Sequence, residues 1–312
     1  MCSSPGTTSN TTAAFSAERR AGSPGGPAFR KLCRMAGEAV SAYRMIAAGD
    51  RVLIALSGGL DSLTLLEVLN RFRAVAPVRF ALGAVTFDPG FPGFNAAGAG
   101  AVCARLGIPH HVESLDIPAV LAEHAQDGRK RRPCVLCSRL RRGRLYRYAR
   151  ENHFNKLALG HHLDDVLASF LISLTRGQGL STMAPRVAAD TAADAHGLVI
   201  IRPLTLASEA LVKAAAAEFD FPAAGRCLYH EELAASGDRA WALRQLEEWE
   251  KRIPGVRRNM LRSLADLRPG WLLDRRYLDL DGGAGSGVAR PEGSTERIFP
   301  QIGQKNGGVD RS

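Results

Sequence analysis

The fold of this chain is decided by residues 51–66, which read RVLIALSGGLDSLTLL. A short apolar run leads into a Ser-Gly-Gly turn and then into apolar residues at helical spacing, which predicts a strand, a tight loop and a helix. Glycines let such a loop approach a phosphate closely, and the first N–H groups of a helix have no partner within the helix. The stretch therefore predicts a phosphate-binding site where the strand meets the helix.

The side chains of this predicted loop suit a nucleotide with its metal. Ser57 and Ser62 add hydroxyl donors around the turn at Gly58 and Gly59, and Asp61 supplies a carboxylate for Mg²⁺. The loop lacks the lysine of the usual GxxxxGK[ST] nucleotide loop, so it is a different kind of phosphate loop. A plain glycine turn between strand and helix is the alternative, and the surrounding serines and aspartate make it the weaker one.

Length and charge bound the class of protein. The 312 residues can form one large α/β domain or two smaller ones. The formal net charge of +10, from 41 basic and 31 acidic side chains, suits a polyanionic partner such as RNA. No apolar run is long enough to span a bilayer, so we expect no membrane partner. Six cysteines without a signal peptide do not indicate a disulfide framework, and we expect a reducing cytoplasm.

Alternation of strands and helices predicts the architecture. We expect tails that are disordered at 1–28 and 273–312, because the first is rich in small and polar residues and the second is largely Gly-rich. Between them, residues 29–272 are predicted to form an α/β domain with a Rossmann-like parallel sheet and helices on both faces. The predicted strands are 51–55, 79–87, 110–115, 156–160 and 199–201. The predicted helices are 29–47, 62–74, 95–106, 138–152, 164–175, 208–219, 238–252 and 256–265.

A second motif, PCVLC at residues 133–137, indicates a metal or redox site. A CxxC turn lets the thiolates of Cys134 and Cys137 face one metal ion or cluster. Taken alone, the pair could be a redox couple, half of a zinc site or part of an iron–sulfur site.

The residues that follow this pair, 138–150, read SRLRRGRLYRYAR and predict a basic helix. Arginine forks with interleaved tyrosines suit phosphate contacts and base stacking, so this helix is predicted to face RNA. A solvated helix face is the alternative, and the density of positive charge with almost no acid nearby argues against it. The predicted RNA contacts are Arg139, Arg141, Arg142 and Arg144.

A third motif, ALGHHLDD at residues 158–165, closes one predicted strand and opens a helix. In a parallel sheet it lies at the same edge as the phosphate loop, beyond the carboxyl ends of the strands. Asp164 or Asp165 can hold Mg²⁺ or cap the helix. His161 and His162 could bind a metal, contact phosphate or nucleotide, or fill the turn, and zinc is the weaker choice because adjacent side chains seldom converge on one ion.

These three motifs, in this order, resemble those of the tRNA 2-thiocytidine synthetases, a family within the PP-loop ATP pyrophosphatases, which have an adenine nucleotide alpha hydrolase-like fold. Arg202-Pro203-Leu204 and WEKRIPG at 249–255 extend the resemblance, which covers about residues 30–272. The phosphate loop is shared by many ATP pyrophosphatases, whereas its combination with CxxCSRLRRG is much more specific.

The resemblance implies a reaction, in which ATP and Mg²⁺ bind at the loop and the C2 oxygen of cytidine 32 in a tRNA anticodon loop is adenylated. Sulfur then replaces AMP, with a [4Fe–4S] cluster held by three cysteines as its carrier. The implied partners are tRNA, a sulfur donor such as a cysteine desulfurase, and a second copy in a homodimer. The implied roles are catalysis by Asp61 and Asp165, ATP binding by Ser57, Gly58, Gly59, Asp61, Ser62, Gly160 and His161, and cluster binding by Cys134, Cys137 and Cys227.

The third cluster ligand is where this sequence departs from the family pattern. Relatives carry a Pro-Cys-x-x-Cys-like stretch soon after a Phe-Pro pair, and here only Cys227 remains, about one position away, with His230 in reserve. Cys33 and Cys103 fall in predicted helices and are expected in the core. Two alternatives stay open: a lysidine-type synthetase, in which an amine attacks the adenylate, and a non-catalytic RNA-binding protein with a structural zinc.

Overall fold

The computed structural model describes residues 25–126, 133–189, 197–222 and 237–278. Cys227, His230 and most of both predicted tails lie outside these residues, and the side chain of Cys134 also lies outside the description. The chain divides into two compact units, Met1–Pro254 and Gly255–Ser312. The predicted boundary at residue 272 stays a prediction.

The first unit is built on a six-stranded sheet, ordered β3-β2-β1-β4-β6-β5. Its central strand β1 pairs in parallel with β2 and β4, and the outer pairs β2–β3 and β4–β6 are also parallel. The predicted parallel α/β sheet is confirmed, except that the unpredicted edge strand β5 runs antiparallel to β6. The strands are β1 Arg51–Leu56, β2 Ala81–Asp88, β3 His110–Ser114, β4 Lys156–Ala158, β5 Arg186–Ala188 and β6 Val199–Ile201.

Helices make up most of the described residues outside the strands. Within the described residues, no helix combines the length and apolar content needed to cross a membrane. The helices of the first unit are α1 Pro27–Ala42, α2 Leu60–Val75, α3 Ala97–Leu106, α4 Ile117–Gln126, α5 Pro133–Glu151, α6 Leu163–Thr175, α7 Glu209–Ala216 and α8 Asp238–Arg252. In the second unit, α9 spans Val256–Ala265 and is followed by single 3₁₀ turns at Pro269–Trp271 and Arg275–Tyr277.

The helix that follows the phosphate loop is deeply buried over its first half. Every residue of α2 from Ser62 to Asn70 is buried, because the helix packs on the sheet and is also contacted by α1 and α7. A second apolar cluster joins Leu53 of β1 to Leu145 and Ala149 of α5. Strand β1 is therefore fixed by packing from both sides of the sheet, and the loop that follows it leaves a rigid strand.

The predicted turn at Cys134 and Cys137 is wrong, because α5 already begins at Pro133. Proline is favoured in the first turn of a helix, where its missing N–H costs no hydrogen bond. The two cysteines are therefore three residues apart along a helix.

The strand order reverses between β1 and β4, because the chain moves from β1 to β2 and β3 on one side and from β4 to β6 on the other. Loops at such a reversal point lie side by side at the carboxyl ends of the strands and form a crevice. Gly160, after β4, touches the β1–α2 loop so closely that a Cβ atom there would lie 3.1 Å from the backbone carbon of Asp61. The two predicted loops therefore form one site.

Candidate active site

The phosphate loop is held by a small hydroxyl network. The Ser62 hydroxyl accepts a hydrogen bond from the Ser57 backbone at 3.2 Å, lies 3.3 Å from the Ser57 hydroxyl and donates to the Gly59 carbonyl at 2.8 Å. Gly58 has a φ of 80°, a left-handed conformation that glycine adopts without strain. The serines therefore shape the loop as well as offering donors to a ligand.

The N-terminus of α2 fits a phosphate. Gly59 is the residue before the helix, and among the described residues no side chain caps the first turn. Its N–H groups and the positive end of the helix dipole therefore face the crevice. Asp61 lies in this first turn, and its carboxylate accepts no hydrogen bond from the described residues. An open carboxylate beside phosphate donors is an arrangement that suits Mg²⁺ with ATP.

The loop after β4 places a second carboxylate beside the first. Asp165 accepts a hydrogen bond from the His162 backbone at 3.0 Å, which starts α6. Asp164 instead accepts the backbone N–H of Glu209 at 2.7 Å and so ties α6 to the start of α7. Asp165 interacts electrostatically with Asp61.

His162 lies fully buried between these carboxylates. Its Nε2 atom is 3.4 Å from Asp165 and its Nδ1 atom is 3.8 Å from Asp164, yet among the described residues neither nitrogen has a hydrogen-bond partner. The ring therefore lies within reach of both carboxylates, and it lowers the pKa of Asp165 and of Asp61.

The two carboxylates differ in acidity. Burial raises the pKa of Asp61, and the nearby Asp165 carboxylate adds to this effect. Burial alone would also raise the pKa of Asp165, but His162 and the Arg239 guanidinium outweigh it and hold that pKa below its usual range. Asp165 is therefore ionised at neutral pH, whereas the ionised form of Asp61 would be stabilised by a bound cation.

His161 is a neutral hydrogen-bond donor. Burial lowers its pKa to about 4. Its Nδ1 atom lies 3.2 Å from Nε of Arg202, and because an arginine N–H only donates, the ring proton is on Nε2. Arg202, at the end of β6, is itself buried and also donates to the Ala184 carbonyl. Of the three roles open to His161 on sequence grounds, contact with phosphate or nucleotide is the one that a fixed N–H donor suits, and it stays a prediction.

Arg239 is a site residue that the sequence did not predict. It begins α8, and both its Nε and Nη2 atoms contact one oxygen of Asp165, at 3.0 and 2.5 Å. The two residues are 74 positions apart in the chain. No local pattern marks such a pair, since it arises from the packing of α8 on α6.

The predicted RNA-contacting arginines lie along α5. Arg139, Arg141 and Arg142 are at least partly exposed. Arg144 pairs with Glu113 of β3 at 3.0 Å. Beside this pair, His111 stacks on Tyr148 with ring centroids 4.4 Å apart, so α5 is fixed to the sheet edge while the other three arginines remain accessible.

The described cysteines separate into two kinds. Cys137, on α5, is half-buried against the apolar cluster, at the edge of the arginine-bearing surface. Burial raises the pKa of Cys33 to about 11 and that of Cys103 to about 12, so both are thiols rather than thiolates at neutral pH. The described residues contain no group of three possible metal ligands. Cys137 is the one of these three cysteines that belongs to the CxxC motif, and its role as a cluster ligand stays a prediction.

Comparison with known proteins agrees with this geometry. A family model described as a PP-loop domain matches residues 32–220, which include both loops and α5. The chain is therefore a member of the PP-loop family of ATP-binding domains.

Sequence comparison with named relatives identifies one enzyme family within this class. The chain is 38% identical over 266 residues to the tRNA-cytidine(32) 2-sulfurtransferase of Verminephrobacter eiseniae, a match that covers 85% of this chain and 81% of the relative. It is 37% identical to the protein of the same name from Ectopseudomonas mendocina, over 80% of this chain and 88% of the relative. The chain belongs to the tRNA-cytidine(32) 2-sulfurtransferase family.

A solved structure supports the fold. The U34-tRNA thiolase NcsA from Methanococcus maripaludis, solved with its [4Fe–4S] cluster, superimposes with a TM-score of 0.58 at 22% identity. The match covers 78% of this chain and 80% of that protein.

Proposed function

We propose that this protein uses ATP to replace the C2 oxygen of cytidine 32 in tRNA with sulfur. The observation that carries the proposal is the meeting of two carboxylates at one edge of the sheet. The open N-terminus of α2 carries Asp61, and the first turn of α6 carries Asp165. The chain also belongs to a family whose members are named for this reaction.

The first half of the reaction is adenylation of the base. The backbone N–H groups of α2 and the hydroxyls of Ser57 and Ser62 hold the phosphates of ATP, and Asp61 with Asp165 holds Mg²⁺. The C2 oxygen attacks the α-phosphorus, the bond from that phosphorus to the β-phosphate oxygen breaks, and pyrophosphate leaves. The Nε2 proton of His161 is available to an acceptor atom of the nucleotide or the base.

The second half replaces the adenylated oxygen with sulfur. Cys134, Cys137 and Cys227 would hold a [4Fe–4S] cluster, and Cys137 is the one of the three whose side chain the structure describes. When bound, the cluster would supply the sulfur that displaces AMP. Burial raises the pKa of Cys33 and Cys103 and so makes the thiolate that a ligand must supply more costly, which argues against either as the third ligand; His230 is the reserve.

The remaining parts of the proposal concern partners. Arg139, Arg141, Arg142 and Arg144 bind the tRNA backbone from α5, with Arg144 partly engaged by Glu113. A sulfur donor such as a cysteine desulfurase reloads the site, and a homodimer in the cytoplasm is the working form.

Anaerobic purification tests the proposal against its two alternatives. The protein should be brown, contain about four irons with sulfide, and convert cytidine 32 of a tRNA transcript to 2-thiocytidine when ATP, Mg²⁺ and sulfide are supplied. Transfer of an amine to the base in place of sulfur would support the lysidine-type alternative. Colourless protein with zinc and no ATP-dependent reaction would support the structural zinc protein and contradict the proposal.

A further inference from the structure

The phosphate loop lacks a positive side chain. From Ser57 to Asn70 there is no lysine or arginine, and the first is Arg71, about three turns along α2. The reaction proposed above releases pyrophosphate, which carries several negative charges. One Mg²⁺ neutralises only part of that charge, so further cations are needed near the leaving group.

Arg239 is placed to provide one of these charges. Two of its nitrogens contact Asp165, and among the described residues its Nη1 atom donates no hydrogen bond. The side chain is 56% exposed although it is attached to a buried carboxylate. Its charge also acts on Asp61, where it lowers the pKa against the effect of burial. The guanidinium therefore contacts one carboxylate of the site, acts electrostatically on the other and still has donors to offer.

Lys213 reaches the same region from α7. Its Nζ atom pairs with Glu209 at 2.9 Å, and the Glu209 backbone is in turn held by Asp164. The hydrogen bond to Glu209 raises the pKa of Lys213, and Asp61 adds a smaller contribution in the same direction. The lysine is 62% exposed, so its ammonium group is held by one partner and retains further N–H donors.

We propose that Arg239 and Lys213 bind the β- and γ-phosphates of ATP and stabilise the pyrophosphate as it leaves. Two cations from distant helices then supply the positive charge that a GxxxxGK[ST] loop obtains from its own lysine. This inference rests on the proposed function, since it assumes cleavage of ATP between the α- and β-phosphates. Arginine suits the role because its planar fork can hold Asp165 and a phosphate oxygen at once.

A purely structural role for Arg239 is the alternative. Arg239 could serve only to attach α8 to α6, and the chain offers a matched control for that role. Arg176, at the end of α6, pairs with Asp238 at the start of α8 at 2.5 Å and is 60% exposed. Removing Arg176 breaks the neighbouring ion pair between the same helices without touching Asp165.

Binding of pyrophosphate and of AMP separates these roles. Calorimetry with the full chain, in Mg²⁺, should show that Arg239→Gln and Lys213→Gln each weaken pyrophosphate binding by about tenfold or more, which is the effect of losing one charged hydrogen bond. AMP, which has no β-phosphate, should bind within about twofold of its wild-type affinity, because neither side chain is expected to touch the α-phosphate. Arg176→Gln should leave both ligands unchanged.

Two results would overturn the inference. Equal weakening of pyrophosphate and AMP by Arg239→Gln, with a fall in melting temperature, would make Arg239 a structural clamp. Unchanged pyrophosphate binding in both variants would remove the two residues from the site. Neither measurement needs tRNA or sulfur, so a protein that binds pyrophosphate through these residues but thiolates no tRNA would refute the proposed function alone.

Discussion

The backbone of Gly160 lies against the backbone of Asp61, with no room for a side chain between them. A Cβ atom on Gly160 would be 3.1 Å from the carbon and oxygen of Asp61 and 3.2 Å from Cα of Ser62. Because backbone atoms of a buried helix cannot swing aside as a long side chain can, the two loops are positioned by direct contact.

Gly160→Ala should therefore separate the loops. We expect a loss of about 1–3 kcal/mol in the free energy of unfolding, as for overpacked cores, and a fall of about tenfold to a hundredfold in ATP-dependent pyrophosphate release. Gly143→Ala is the control, since Gly143 lies on α5 and a Cβ atom added to it would meet nothing within 4 Å. That variant should gain about 0.5–1 kcal/mol, as alanine does over glycine within a helix. Equal behaviour of the two variants would contradict the close contact.

Asp61→Asn should abolish the reaction without unfolding the protein. The raised pKa of Asp61 means that its charge is unfavourable in the folded state, so removal of that charge at neutral pH should leave the free energy of unfolding equal or higher. Loss of a metal ligand should lower pyrophosphate release by about a hundredfold or more. Wild-type pyrophosphate release with tRNA present would remove Asp61 from the site.

Arg141→Ala combined with Arg142→Ala should weaken tRNA binding and leave ATP binding unchanged. Each lost phosphate contact reduces the slope of log affinity against log salt by about one unit, so the slope should fall by about two. The control is Arg30→Ala combined with Arg34→Ala, which removes the same charge from α1, where Arg34 pairs with Glu38. If both double variants change the slope equally, tRNA responds to net charge and not to α5.

The cysteines should fall into two groups by iron content after anaerobic reconstitution. Cys134→Ser, Cys137→Ser and Cys227→Ser should give colourless protein that still binds ATP. The phosphate loop lies between β1 and α2 and contains none of these cysteines. Cys33→Ser and Cys103→Ser should keep the cluster, since both lie on helices away from the CxxC motif and burial disfavours their thiolates. A full cluster in Cys227→Ser would move the search for the third ligand to His230.

His161 should make stability depend on pH. Its pKa is lowered from 6.5 to about 4 in the folded state, so between these values the unfolded chain binds the proton and the folded chain does not. The stabilisation is complete above pH 6.5 and is lost as the pH falls toward 4, by up to about 3 kcal/mol.

Urea unfolding at several pH values tests this dependence. His161→Gln should flatten the curve of unfolding free energy between pH 6.5 and 4 relative to the wild type. His153→Asn is the control, because His153 lies away from the site in the turn after α5 and asparagine tolerates its positive φ of 57°. Parallel curves for wild type and His161→Gln would show that the imidazole is not buried as described.

The parts of the fold carried by strong local patterns could be predicted from the sequence. The apolar run of β1, the glycine loop and the start of α2 are predicted closely, because burial on all sides leaves an unbroken apolar pattern. Strand β5 escapes prediction because all three of its residues are exposed and show no alternation. Pro133 is the local sign that α5 begins before the cysteine pair, because proline is favoured in the first turn of a helix. The CxxC spacing alone does not distinguish a turn from a helix.

The candidate site was predictable only where its residues are near one another in sequence. Ser57 to Ser62 and Gly160 to Asp165 lie in two short motifs at predicted strand ends. The contact of Asp165 with Arg239 depends on how α8 packs against α6, and the hydrogen bond from Arg202 to His161 depends on the pairing of β4 and β6. Such contacts leave no periodic trace in a single sequence.

Helix α5 fixes the distance between the proposed RNA-binding arginines and the proposed cluster ligand. Cys137 and Arg141 are four residues apart on one helix, a rise of about 6 Å, and the Arg144–Glu113 pair and the His111–Tyr148 stack anchor that helix to β3. In the proposed reaction, the rigid helix therefore sets how far the bound RNA backbone lies from the cluster ligand. One residue inserted between Cys137 and Arg141 would rotate the arginines by about 100° relative to the cysteine. Each group would be intact, but RNA bound to the arginines would no longer face the cluster ligand.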